Sequence, residues 1–266
     1  MSVYGYTPLL IYSIIVSFMF GACMGSFLNC VAYRTVIGES FLKGRSHCTS
    51  CGHELGFRDL IPVISWLSTK GRCRYCGARV SARYPLTEIA FGIITVICLL
   101  RFDLTVLCLR NYVFLCALFV LTLTDIDDMV IPDGCHIIAV IAWIAAEPFI
   151  FKGWSNVISH IAAGVIYGGG LLIISLVLDR IMGRDTLGGG DIKLVAVSGL
   201  YLGMIGTLFM LMIACIGGLL FNVFRSRPSG EENTFPFGPW IAAAASVMLL
   251  YGEPLINWYT NLLNIK

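Results

Sequence analysis

Apolar residues fall in seven blocks along the chain, at residues 9–32, 86–100, 112–124, 137–151, 157–178, 192–224 and 237–250. Each of the first six is followed by a shorter or more polar stretch. The pattern predicts membrane-length helices, with loose ends where a block is short of the roughly 20 residues a span needs. The block at 192–224 is too long for one ordinary span, and Gly203 and Gly206 offer a turn in its middle. Residues 33–84 break the pattern altogether.

Charge sets the direction of the spans. The polar stretch carries nine cations: Arg34, Lys43, Arg45, Arg58, Lys70, Arg72, Arg74, Arg79 and Arg83. A loop this short and this basic belongs in the cytoplasm by the positive-inside rule. Arg180 and Arg184 precede the long block, and Arg225 and Arg227 follow it. With both loops cytoplasmic, that block crosses twice. Eight spans result, with both termini outside. Of the 18 Lys and Arg residues, only Arg101, Arg110, Lys152 and Lys266 then fall outside.

Composition agrees, with 58% hydrophobic residues and mean hydropathy +0.84. Charged residues make up 13%, where a soluble domain carries roughly 25%. No basic region precedes Leu9, so the first block is expected to stay as a helix rather than leave as a signal peptide. The expectation is an all-α polytopic membrane protein with about eight transmembrane helices and a small cytoplasmic insert, surrounded by lipid. Residues 1–33 are expected to form the first transmembrane helix, 34–84 the cytoplasmic insert and 85–266 a multi-helix membrane core. Gly21 and Gly25 have the small-xxx-small spacing of close helix packing, and Asn29 reads as an interhelical hydrogen-bonder.

Within the insert, Cys48-Thr49-Ser50-Cys51-Gly52 and Cys73-Arg74-Tyr75-Cys76-Gly77 form two CxxCG knuckles. In a reducing cytoplasm such thiols read as metal ligands rather than disulfides. Four thiolates make a closed tetrahedral zinc site with no open position, hence a structural one. The glycine after each second cysteine permits the turn that aims backbone N–H groups at sulfur. His47 and His53 read as solvated loop residues. The basic residues do not alternate with aromatics as a stacking platform would, so no nucleic acid partner is expected. The other cysteines, scattered through apolar blocks, read as small hydrophobes.

Two acidic positions stand beside hydrocarbon-length sequence, where a carboxylate is costly and calls for a function. Asp191 ends Gly188-Gly189-Gly190-Asp191, opening a helix whose dipole favours it. The glycines leave room for a substrate backbone. Asp125, Asp127, Asp128 and Asp133 crowd the end of an earlier block. Asp125 follows Leu121-Thr122-Leu123-Thr124 and lies deepest, while the others read as solvated; spacing alone does not select among them. Two carboxylates at one face can share a proton and activate a water molecule, which points to peptide hydrolysis without a covalent intermediate. Proton-coupled transport is the rival reading, and a zinc-organised assembly factor without catalysis is a third.

Taken together, these stretches resemble the bacterial type IV prepilin peptidases, of the GxGD aspartic peptidase type. The resemblance runs through Gly25-Ser26-Phe27-Leu28-Asn29 with Arg34, the two knuckles, Arg83-Tyr84-Pro85-Leu86-Thr87-Glu88, Asp125 to Pro132-Asp133, Gly188 to Lys193, and Pro236-Phe237-Gly238-Pro239. It implies that Asp125 and Asp191 are the catalytic pair. It also implies that prepilins or pseudopilins are cut at the cytoplasmic face of the inner membrane. The new N-terminal residue would be methylated with S-adenosylmethionine, because the cysteine insert accompanies methylating members. No cofactor fingerprint marks a methyl-donor site; Gly168-Gly169-Gly170 reads as helix packing. Glu88 and Lys193 are further candidates for substrate or cofactor contacts.

Overall fold

The computed structural model describes residues 7–41, 43–184, 186–224 and 236–262. Arg225, Arg227 and Lys266, used above to orient the chain, lie outside the described residues. Those described are helical apart from turns and two isolated β-bridges in the insert. The chain divides into two compact units, Met1–Cys108 and Leu109–Lys266.

The first unit pairs α1 (Thr7–Val36) with α3 (Arg83–Phe102), and the insert lies between them in sequence. Close packing comes from missing side chains. A methyl group at Gly25 would lie 3.1 Å from the Glu88 backbone, and one at Gly21 would overlap Thr95. Asn29 Nδ2 donates to Gly25 O at 3.0 Å and to Thr87 Oγ1 at 2.7 Å, so it bonds between helices as expected. The insert contains a short 3-10 turn (Phe57–Asp59) and α2 (Ile64–Ser68).

The second unit is built from α4 (Val106–Asp128, whose first turn belongs to the first unit), α5 (Asp133–Ile150), α6 (Trp154–Met182), α7 (Gly189–Phe224) and α8 (Gly238–Leu262). Its core includes Phe114, Leu118, Leu121, Val195, Met210, Ile241 and Ala245. Outward-facing side chains such as Ile158, Val165, Ile173 and Leu219 are apolar and exposed, as a lipid-facing surface requires. Seven of the described helices are long and apolar enough to cross a membrane.

The sixth of these, α7, doubles back on itself. Gly203 has φ +67° and ψ −174°, outside helical geometry. A straight 36-residue helix would reach about 54 Å, yet both ends of α7 meet the start of α8. Gly190 packs on Ile131, which also meets Gly238, while Phe221 stacks near Trp240 with ring centroids 5.5 Å apart. Phe209, midway, sits at the far end of α8 against Tyr259. The chain therefore folds back at Gly203, and Gly206 belongs to the returning limb. The first limb runs against α6 along a seam of small residues: a methyl group at Gly168 would lie 2.6 Å from Ala196 Cβ. Gly169 and Gly170 touch nothing there, so only the first glycine of that triplet is a packing residue.

Candidate active site and metal centre

Asp125 lies on the last turn of α4, which stops at Asp128 because Met129 turns left-handed with φ +54°. Pro132 starts the next helix as its N-cap rather than ending the previous one. Asp191 lies in the first turn of α7, where Gly188 O accepts its N–H at 3.0 Å. A carboxylate in that turn faces the positive end of the helix dipole. The turn is fixed from behind: Asp179 Oδ1 accepts the Thr186 N–H at 2.7 Å and its hydroxyl at 2.6 Å, and Ser175 donates to Oδ2.

These elements bring the two carboxylates within reach of each other's charge. Asp125 is 5% exposed, and Asp191 is half-buried. Asp125 Oδ2 abuts the Gly238 backbone without an aligned donor, and Asp191 Oδ1 is buried with no hydrogen-bond partner among the described residues. Buried carboxylate oxygens normally find donors. Two left open at adjoining helix ends make a place for a water molecule or a peptide carbonyl.

The three glycines have separate tasks. A methyl group at Gly190 would lie 2.7 Å from Ile131 Cβ, so that glycine serves packing and not substrate access. Gly188 and Gly189 are exposed; a methyl group at Gly188 would touch Asp191 Oδ2 at 3.4 Å, and one at Gly189 would meet nothing described. Lys193 forms an ion pair with Asp133 at 2.7 Å, joining the starts of α7 and α5. Both are more than half exposed, so the pair contributes at most about 1 kcal/mol. His136, one turn into α5, is buried with neither ring nitrogen bonded among the described residues. Nothing in the sequence marked it.

Sulfur atoms of Cys48, Cys51, Cys73 and Cys76 all lie within 4.8 Å of one another. The Cys48–Cys76 separation is 3.9 Å, close to the edge of about 3.8 Å that a zinc tetrahedron with Zn–S of about 2.3 Å requires. The cluster can therefore hold a metal ion. Both knuckles have one architecture: Cys48 N–H donates to His53 O, and Cys73 N–H to Ala78 O. Gly52 and Gly77 take φ +71° and +72°, the left-handed turns expected of them. Backbone N–H groups of Cys51 and Ser50 bring the Cys48 thiol from 9.0 down to about 6, suiting it to bind as thiolate.

Side chains lock the knuckles together. Asp59 accepts from Arg74 Nε at 2.8 Å and Tyr75 OH at 3.0 Å, both between the cysteines of the second knuckle. His53 stacks on Tyr75 with ring centroids 3.6 Å apart, so it is an exposed packing partner and not only a solvated residue. Arg34 is 5% exposed and donates to Ser40 O, Lys43 O and Arg45 O, tying the lead-in of the insert to α1.

Two family models match the chain. Residues 19–102 match the bacterial peptidase A24 N-terminal domain, and residues 112–223 match the type IV leader peptidase family. A prepilin leader peptidase/N-methyltransferase of Bacillus subtilis is 31% identical, over 91% of this chain and 96% of its own. One of Myxococcus xanthus is 32% identical, over 82% of this chain and 66% of its own, and one of Aeromonas salmonicida is 27% identical over 95% and 94%. No solved structure matches the chain.

Proposed function

Because the chain belongs to the type IV leader peptidase family, we propose that it removes the leader from type IV prepilins or pseudopilins and methylates the new N-terminus. The observation that carries the reading is the pair of buried carboxylate oxygens of Asp125 and Asp191, neither with an aligned hydrogen-bond donor among the described residues. One carboxylate is ionised and the other holds the proton, since two adjacent negative charges repel. The ionised member takes a proton from water as the oxygen attacks the scissile carbonyl carbon. The protonated member gives its proton to the carbonyl oxygen. The proton taken from water then passes to the amide nitrogen, the C–N bond breaks, and the second aspartate recovers its proton from the collapsing diol. Gly188 and Gly189 leave the approach to Asp191 clear for an extended peptide.

The site faces the cytoplasm, as does the insert at residues 34–84, and the protein resides in the bacterial inner membrane. The basic insert and the double crossing of α7 support this orientation. Cys48, Cys51, Cys73 and Cys76 hold a structural zinc ion that orders the insert. S-adenosylmethionine supplies the methyl group for the new N-terminal amine.

Purified protein incubated with a prepilin, with and without S-adenosylmethionine, tests the reading by mass spectrometry of the product. The expected result is loss of the leader in both samples and one added methyl group only with the donor. Undiminished cleavage by a protein carrying both D125N and D191N would remove the pair from the chemistry. Proton-linked flux without cleavage would point to a transporter instead.

A further inference from the structure

Two cysteines outside the knuckles face each other across the turn that joins α3 to α4. Cys98 lies one turn before the end of α3, and Cys108 lies in the first turn of α4. Their sulfurs are 3.9 Å apart. Cys98 Sγ is also 4.0 Å from Cys108 O, and Cys108 Sγ is 3.9 Å from Cys98 O, so each side chain is directed at the other residue. Both belong to the first compact unit, which Cys108 closes. Cys98 is fully buried and Cys108 half-buried.

The turn holds the two sulfurs in place. Asp103 N–H donates to Leu99 O at 2.9 Å, and the Thr105 hydroxyl donates to Phe102 O at 2.8 Å while accepting the Cys108 N–H at 3.2 Å. Asp103 takes φ +52°, the left-handed conformation that reverses the chain there. Sulfurs in contact on a turn so fixed are placed to close a disulfide, which needs facing side chains and an S–S bond of about 2 Å. Metal binding, the use made of sulfurs at the same spacing in the insert, does not fit. Among the described residues neither Cys98 nor Cys108 belongs to a cluster of three metal-ligating groups. The compartment differs as well. α3 starts where the basic insert ends, and α4 ends beyond Asp125. With the insert and the carboxylates at the cytoplasmic face, the turn between the two helices lies at the opposite, oxidising face, where disulfides form and persist.

We propose that Cys98 and Cys108 are joined by a disulfide that clasps the α3–α4 hairpin at the outer face of the membrane. The inference rests on the orientation in the reading above. The more exposed Cys108, as thiolate, attacks the disulfide of an oxidised dithiol–disulfide carrier protein of that compartment, forming a mixed disulfide and releasing one carrier thiolate. Cys98 then gives up its proton and attacks the Cys108 sulfur, and the bond from Cys108 to the carrier breaks. The two electrons and two protons of the Cys98 and Cys108 thiols end on the carrier, which leaves as a dithiol. The closed ring fastens the residue at which the chain leaves the first unit to the helix before it.

The test takes the full-length protein in its own membranes, quenched in acid and alkylated with a maleimide in denaturant, before and after reduction. Cleavage after Arg101 separates the two cysteines unless a bond holds their peptides together. Mass spectrometry is expected to find these peptides linked and closed to maleimide until a reductant is added, whereas Cys48, Cys51, Cys73 and Cys76 alkylate at once. Both sulfurs alkylated without reduction, or Cys108 in a mixed disulfide with Cys98 alkylated, overturns the crosslink. Sidedness is read on a C98A/C108A protein carrying Leu104→Cys, a position 85% exposed in the same turn. An impermeant maleimide is expected to reach it from outside intact cells. Labelling only in inverted vesicles would instead overturn the orientation, and this inference with it. Should that variant not accumulate, the peptide linkage in the unaltered protein decides alone.

Discussion

Gly238 stands so close to the Asp125 carboxylate that a methyl group on its α carbon would lie 2.6 Å from Oδ2. Ile131 Cδ1 is 3.2 Å from the same point, and it is also 3.0 Å from where a methyl group on Gly190 would stand. One isoleucine therefore separates the glycine beside Asp125 from the glycine beside Asp191. The start of α8 sets the position of a carboxylate carried by α4, and it does so by lacking a side chain.

Gly238→Ala is accordingly expected to push Asp125 out of place. Overpacking of this kind costs about 1–3 kcal/mol, and displacement by about 1 Å can cost on the order of a hundredfold in turnover. Prepilin cleavage rate and thermal unfolding in detergent measure the two effects. Cleavage within a factor of two of the unaltered protein would show that the contact does not position Asp125.

Replacing either acid by its amide separates chemistry from folding. D125N and D191N are each expected to reduce cleavage by at least about a hundredfold, the low end of what general acid–base groups contribute. Neither should unfold the protein, because the amide removes the repulsion between like charges. Cleavage assays with thermal unfolding of the same samples check both statements. A variant that is inactive and also grossly unstable would speak for a structural role instead.

Asp59 gives the insert a defined pH response. Burial acts to raise its pKa, but hydrogen bonds from Arg74, Tyr75 and the Gly56 N–H, with the charge of Arg74, hold the carboxyl below its usual 3.8. A lowered folded value means the contribution is fully present above the unfolded pKa and fades only as pH falls through the folded one. D59N should therefore speed zinc transfer to a chelator by roughly fivefold, about 1 kcal/mol for a pair whose Arg74 is partly exposed. The ratio should stay flat from about pH 8 to about pH 5, since Asp59 remains ionised throughout. A ratio that collapses within that window would mean its carboxyl is not held low.

Much of this was legible in the sequence because it depends on neighbours along the chain. Apolar blocks set the helices, CxxCG set both knuckles, and the spacing of Gly21 and Gly25 set the seam between α1 and α3. What was hidden depends on residues far apart. Arg110 reads as a loop cation outside the membrane, yet it is 8% exposed, pairs with Glu147 at 3.3 Å and lies 5.2 Å from the Tyr201 ring. Nothing local couples residues 37 and 91 positions apart. Lys193 looked available for substrate until Asp133, 60 residues earlier, proved to be its partner. Gly190 looked like an opening until Ile131 filled it. Cys98 and Cys108 read as isolated small hydrophobes, but their sulfurs are 3.9 Å apart across the turn between α3 and α4.

The fold-back at Gly203 yields the sharpest test of the architecture. Its φ of +67° is open to glycine and strained for other residues, and His160 ring atoms lie 3.5 Å from where a methyl group would stand. Gly203→Ala is expected to cost about 1–2 kcal/mol. The same geometry fixes sidedness: Asp191 and Phe221 lie at the α8 start, whereas Gly203 and Phe209 lie toward its far end. Single cysteines at 189 and 222, in a protein otherwise free of reactive thiols, should react with an impermeant reagent from the same side of sealed vesicles. A cysteine at 204 should react from the opposite side. Labelling of 189 and 222 from opposite sides would require α7 to pass once, which would carry Phe221 away from the face that presents Asp125 and Asp191.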